Sequence, residues 1–193
     1  MRLLGVGLLE GDLEATRDLV GRSLCPEGPT LDVPSRSGLL ADLFAGHDYV
    51  GVDFDRADVD VARARRPGIY LHAPCERLDV PDGRFAQVLA FGLLDPLDDA
   101  KARRMVQEIA RVTAPNGRLL AIGAAPVPAR ALAARLASRL SGLDGRRTTT
   151  AIESLLRPAF AVVESIAFRS GFVRRVVVSA RRTGSADVPD RLD

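Results

Sequence analysis

Short apolar runs alternate with helix-patterned stretches along most of this chain, and that alternation limits the fold more than any other feature. TLDV (30–33), DYVGVDF (48–54), IYLHA (69–73), RFAQVLAFGLL (84–94) and RLLAIGA (118–124) read as buried strands. Between them, SGLLADLFAG (37–46) carries Leu39, Leu40, Leu43 and Phe44 as a helical stripe closed by a glycine. RADVDVARARRPG (56–68) ends on Pro67-Gly68, and residues 98–113 place Ala102, Met105, Val106, Ile109 and Val112 on one face. A strand followed by a helix, repeated, requires a mainly parallel sheet with its crossovers packed on both faces.

The ends of the chain fit the same plan. Residues 12–24 space Leu13, Leu19, Val20 and Leu24 as a helix, which Cys25-Pro26-Glu27-Gly28-Pro29 stops. After APNG (114–117) and the fifth strand, PARALAARLASRL (128–140) opens a helix with proline and AIESLL (151–156) makes a short one. FAVVESIAF (160–168) and FVRRVVVSA (172–180), joined by Arg169-Ser170-Gly171, have hairpin spacing and predict an antiparallel strand near the sheet edge. At 193 residues this is one core's worth of chain. The expected organisation is a single domain over 1–182, with 1–28 an N-terminal helix and packing segment, 29–181 the core, and 183–193 a loose polar tail.

Charge excludes more than it suggests. Lys+Arg 27 against Asp+Glu 25 gives a net +2, which makes no case for nucleic acid. Residues 42–60 are acidic apart from Arg56, and residues 146–182 hold eight arginines against Glu153 and Glu164. Solvated faces account for both, with an anion-binding patch as the alternative. Cys25 and Cys75 are too few and too far apart for a disulfide framework or a zinc site, so no metal and a reducing cytoplasm are expected. LLGVGLL (3–9) lacks a cleavage site and is too short to span a bilayer, so no membrane association is expected; it is read as packing on the domain or on a second copy in a homodimer.

Two stretches resemble a known family. ERLDVPDGRFAQVLAF (76–91) is similar to "E-x-L-P-F-x-D-G-S-F-D-x-V", and EIARVTAPNGRLLAIG (108–123) to "E-x-x-R-V-L-K-P-G-G-x-L-x-I", of the class I S-adenosylmethionine-dependent methyltransferases, small-molecule branch. The resemblance covers about residues 30–180 and implies a Rossmann-like, doubly wound, seven-stranded sheet, mainly parallel, with an antiparallel C-terminal hairpin strand. It implies S-adenosylmethionine as cofactor and a small-molecule substrate.

Carried over residue by residue, the resemblance places the cofactor beside Asp32, Ser35, Arg36, Gly38, Asp53, Phe54, Cys75, Glu76 and Phe91. Asp53, at the end of the second strand, matches the acid that accepts the ribose hydroxyls, for which two carboxylate oxygens are suited. The first loop departs from the pattern. Against D-x-G-x-G-x-G the chain reads Asp32-Val33-Pro34-Ser35-Arg36-Ser37-Gly38, so proline and arginine stand where two glycines let the backbone approach the methionyl group. Pro74 stands at the position of the acid that contacts adenine, and Ala86 at that of the "F-D" aspartate, leaving Cys75 and Glu76 as adenine neighbours.

Plainer roles compete at each position. Asp53 would serve as a cap for the helix beginning near Arg56, Arg36 as an ion-pair partner of Asp32 or Asp53, His72 as a structural histidine rather than a proton shuttle, and Cys75 as a buried thiol. No catalytic base stands out, and methyl transfer from a sulfonium needs alignment more than acid–base help. Three functions follow: a methyltransferase for a small metabolite; a non-catalytic accessory or dimerising subunit; or a pocket turned to another anionic or nucleoside-like ligand, or to a cofactor-independent reaction, with Arg36 as its anchor.

Overall fold

The computed structural model describes residues 6–23, 28–74, 76–95, 97–125, 147–170 and 173–183. Strands β1 (Thr30–Asp32), β2 (Tyr49–Asp53), β3 (Ile69–His72), β4 (Phe85–Phe91) and β5 (Thr113–Ala124) are mutually parallel. β6 (Phe160–Ser170) and β7 (Val173–Arg182) form the expected antiparallel pair, and β7 inserts between β5 and β6. The seven-stranded order is β3-β2-β1-β4-β5-β7-β6. The chain therefore starts mid-sheet at β1, winds outward to β3, and returns to β1's other side with β4. This reversal between β1 and β4 opens a crevice at the carboxyl ends of the strands, the place where ligands bind in open α/β sheets.

Each face of the sheet has its own core. One gathers Phe85, Val88, Leu119 and Val178 with Met105 and Ile109 of α3 (Asp99–Val112) and Leu156 of α4 (Thr149–Leu156). The other gathers Leu89, Phe91, Leu120, Ile122 and Val177 with Val20 of α1 (Val6–Ser23) and Val59 and Ala62 of α2 (Arg56–Arg65). Burial of both faces explains why β1, β2 and most of β4 read as unbroken apolar runs rather than alternating ones. Side-chain caps open α2, α3 and α4: Asp55 accepts the Ala57 N–H at 2.8 Å, Asp98 the Lys101 N–H at 2.8 Å and Thr148 the Ala151 N–H at 3.2 Å.

Two local expectations need correction. The helix predicted over 37–46 contracts to one 3-10 turn, Ala41–Phe44. Gly38 sits at φ +73, and a Cβ there would lie 2.7 Å from both Arg66 Cγ and Tyr70 Oη, so the chain is pinned in a left-handed turn that a helix cannot contain. Leu40, Ala41 and Phe44 are buried all the same. The APNG turn interrupts β5 rather than preceding it: Thr113 pairs with Phe85 and Arg118 with Gln87, and Asn116, at φ 61, lies in the intervening bulge. The helix expected over 128–140, the tail from 184, Cys25 and Cys75 lie outside the described residues. No helix among the described residues is long and apolar enough to cross a membrane.

Candidate functional site at the carboxyl ends of the strands

The parallel strands deliver a set of side chains to one edge of the sheet. Asp32 ends β1, Asp53 ends β2, His72 ends β3, Phe91 ends β4 and Ala124 ends β5. Antiparallel β7 brings Arg175 to the same edge, in register with Ala124.

Asp53 is 2% exposed, yet both its oxygens are engaged. Oδ2 accepts the backbone N–H of Arg36 at 2.7 Å and Oδ1 that of Asp55 at 2.8 Å. The carboxylate thus ties the loop after β1 to the tip of β2. It does not cap α2, whose cap is Asp55.

That loop is buried at Val33, Pro34 and Ser35, with a cis Val33–Pro34 peptide bond. Four of its backbone donors are spent inside the fold. Val33 N–H goes to Leu89 O at 3.0 Å, Ser35 N–H to Val52 O at 2.9 Å, Arg36 N–H to Asp53 and Gly38 N–H to Ser35 O at 3.0 Å, while Pro34 has none. A glycine-rich loop would turn such groups toward a ligand.

Arg36, at φ 51, projects its guanidinium over the Phe91 ring, 5.6 Å from the centroid. Gly92 makes room for it, since a Cβ at Gly92 would lie 3.4 Å from an Arg36 terminal nitrogen. The ion pair anticipated between Arg36 and Asp32 or Asp53 is not formed; the backbone N–H reaches Asp53, and the side chain takes the ring. Arg175 approaches the same ring at 4.9 Å. Two cations therefore share one aromatic surface, each attracted by its quadrupole.

Asp32 lies deeper. Its Oδ2 accepts the Tyr49 hydroxyl at 2.7 Å, while its Oδ1, like the Ser35 Oγ, is buried without a hydrogen-bond partner. Burial pushes its carboxyl up to about 7, with Asp53 adding to the rise and the Tyr49 hydrogen bond and Arg36 opposing it. The Tyr49 hydroxyl is raised by burial and by the facing Asp32.

The other anticipated residues sit at the rim. Phe54 is 63% exposed, a large aromatic left in solvent beside Asp53. His72 is exposed and its Nε2 lies 3.1 Å from Phe54 O, a structural contact. Glu76 is exposed in a turn. Arg175 and Gly92 were not among the anticipated residues. A signal for Arg175 was available, because alternation along β7 puts position 175 on the same face as Val177.

The two family-like stretches are joined away from this edge. Arg111 donates to Leu78 O at 2.9 Å, to Val80 O at 3.0 Å and to Glu108 Oε1 at 2.7 Å, and also pairs with Asp82. Glu108 in turn accepts the Leu78 N–H at 2.7 Å, and the Arg111 hydrogen bond holds its carboxyl below the usual range. Leu78, Val80, Glu108 and Arg111 line a surface hollow of about 550 Å³.

Comparison with known proteins matches this chain over residues 31–121 to the family described as "Methyltransferase domain". A demethylmenaquinone methyltransferase of Paenarthrobacter aurescens (strain TC1) is 33% identical over 94 residues, which are 47% of this chain and 36% of that protein, so the match spans about a third of the relative. Magnesium protoporphyrin IX methyltransferase from Synechocystis PCC 6803, crystallised with bound SAH, superposes with a TM-score of 0.75 at 17% identity, covering 95% of this chain and 89% of that one. A SAM-dependent methyltransferase from Methanosarcina mazei gives 0.70 at 15%, covering 86% and 97%. The strand order β3-β2-β1-β4-β5-β7-β6 is the Rossmann-like fold of these methyltransferase structures, and residues 31–121 carry the match to the methyltransferase-domain family.

Proposed function

We propose that this chain transfers a methyl group from S-adenosylmethionine to a small-molecule acceptor. The observation that carries the reading is the pairing of a buried carboxylate with an exposed aromatic ring at the tip of β2. Each Asp53 oxygen accepts one backbone N–H and keeps a second lone pair, which suits the two hydroxyls of a ribose. Phe54 presents its ring beside that carboxylate, where an adenine can stack. These residues fit the nucleoside half.

The amino-acid half meets Arg36. With the N–H groups of Val33, Ser35, Arg36 and Gly38 spent internally, the exposed Arg36 guanidinium is a donor whose planar fork suits the methionyl carboxylate bidentately. When bound, S-adenosylmethionine supplies a methyl group activated by its sulfonium, which passes to the acceptor's nucleophilic atom as the carbon–sulfur bond breaks. The chain's contribution is alignment and exclusion of water, and no side chain is assigned as a base.

A second reading has its own observation: Arg36 resting on Phe91 and Gly92 would equally well close the site. Calorimetric titration with S-adenosylhomocysteine and S-adenosylmethionine separates the two by sign. Micromolar binding by the unaltered chain that weakens in Arg36→Gly and is lost in Asp53→Ala supports the proposal. No binding until Arg36 is removed overturns it in favour of a closed, non-catalytic fold.

A further inference from the structure

We infer that a groove at the end of the sheet opposite the crevice is a binding site for a phosphomonoester with a short aliphatic body; this does not depend on the proposed methyltransferase reading. Strand register brings two cations together there. Arg118 of β5 pairs with Arg181 of β7. Facing residues of an antiparallel pair stand on the same side of the sheet, and like charges so placed repel at a cost to stability. Arg22, in the last turn of α1, joins them around a groove of about 320 Å³. All three arginines are exposed, and no described residue hydrogen-bonds, ion-pairs or stacks with their guanidiniums.

Among the described residues that line the groove, Glu164 is the one acid. Three guanidiniums against one carboxylate leave an excess of two positive charges. That excess matches the charge of a phosphomonoester at neutral pH, about −1.5 to −2, better than the single charge of a carboxylate. The remaining wall is aliphatic. Leu120 and Val177 form its floor, and Val163 and Ile166 of β6 stand 68% and 37% exposed beside it. Adjacent strand residues ordinarily point to opposite faces, yet Val163 and Glu164 both line the groove. The cause is a bulge: Val162 pairs with Ala180 and Glu164 with Ser179, so Val163 is an extra residue turned out of the alternation. Apolar surface held in solvent beside clustered cations fits an alkyl chain that carries a phosphate. The volume lies at the low end for small-molecule sites, about 300–1,000 Å³, so the chain must be short. From Arg118 to Ala124 the rise along β5 is about 20 Å, which separates this groove from the crevice and from Arg36.

Monobutyl phosphate, inorganic phosphate and pentanoate are the probes, titrated calorimetrically into the full chain at matched ionic strength and pH 8, where the phosphomonoester is a dianion. Monobutyl phosphate is expected to bind more tightly than inorganic phosphate, and pentanoate least. Arg118→Gln and Arg181→Gln should each weaken monobutyl phosphate about tenfold, and Arg118→Lys, which keeps the charge and loses the fork, by less. Val163→Ser should bring monobutyl phosphate and inorganic phosphate close together by removing the alkyl contact. Arg103→Gln, exposed on α3, and Arg36→Gly, in the crevice, should leave the affinity unchanged, and circular dichroism confirms that each variant is folded. An affinity indifferent to Arg118 and Arg181 overturns the inference, as does pentanoate binding as well as monobutyl phosphate. A loss in Arg103→Gln as large as in Arg118→Gln reduces the effect to diffuse charge attraction, and a loss in Arg36→Gly moves the site to the crevice; either overturns it. So does absence of monobutyl phosphate binding. In that case sedimentation with phosphatidylglycerol vesicles, against phosphatidylcholine vesicles as control, tells whether Arg118 and Val163 serve a lipid surface instead.

Discussion

The backbone N–H of Arg36 donates to Asp53 Oδ2 at 2.7 Å, which fastens the loop following β1 to the last residue of β2. Because Asp55 N–H occupies the other oxygen, one buried carboxylate organises both walls of the crevice before any ligand arrives. A charged acceptor serving two backbone donors is difficult to replace, since its loss strands both.

Asp53→Ala is therefore expected to lower the unfolding free energy by about 2–3 kcal/mol, with Asp53→Asn, which retains one acceptor oxygen, losing less. Urea titrations with an unchanged m-value check this. A loss no greater than that of an ordinary surface substitution would show that the loop is not held by this residue.

Asp32 makes stability depend on pH in an unusual direction. Its carboxyl is raised to about 7 in the folded chain, above its unfolded value, so between those limits the native state holds a proton that the unfolded state has released. Stability from this group is complete at low pH and declines as pH rises toward 7, by at most about 1.4 kcal/mol per pH unit. Asp32→Asn keeps an acceptor for the Tyr49 hydroxyl and carries no charge. Relative to the unaltered chain it should gain stability progressively from pH 4 to pH 8, measured by urea unfolding across that range; parallel profiles would refute the assignment.

Gly38 and Gly46 both have positive φ, but differ in what surrounds them. A Cβ at Gly38 meets Arg66 and Tyr70 at 2.7 Å, whereas at Gly46 nothing lies within 4 Å. Gly46→Ala should cost about 1 kcal/mol of backbone strain, and Gly38→Ala clearly more, in thermal unfolding. Equal costs would mean that the turn at Gly38 shifts freely.

Arg111 bridges α3 to the segment before β4 through Leu78 O and Val80 O, and pairs with Glu108 on its own helix. Arg111→Ala leaves those acceptors short of a donor and is expected to cost about 2 kcal/mol. Glu108 is held below its ordinary value by the same contact, so the stability it contributes is present above its unfolded value and is lost as pH falls through the folded one. In the variant this acid-side loss should be shallower, as chemical denaturation at successive pH values will reveal.

Several features needed only residue order. The β1, β2 and β4 runs are apolar because both their faces are buried, so their strands stand out in one dimension, and the α3 stripe of Ala102, Met105, Val106, Ile109 and Val112 is buried as its spacing foretells. The Asp53 position followed from counting to the end of the second strand. The chain's motifs also contained a tertiary contact in disguise: Glu108 and Arg111 of one stretch hold Leu78 and Val80 of the other.

What sequence order could not decide was partnership across strands. β4 lies beside β1, and β7 slips between β5 and β6, so Arg36, Phe91 and Arg175 meet only once the sheet is assembled. The contraction of 37–46 to one 3-10 turn has the same origin, since Gly38 is crowded by Arg66 and Tyr70 from α2 and β3. Local pattern reports which face of an element is apolar, because periodicity is a property of the element alone. The destination of a long cation such as Arg36 depends on the competition among a carboxylate, a ring and solvent, and that competition exists only when tertiary packing has brought all three within reach.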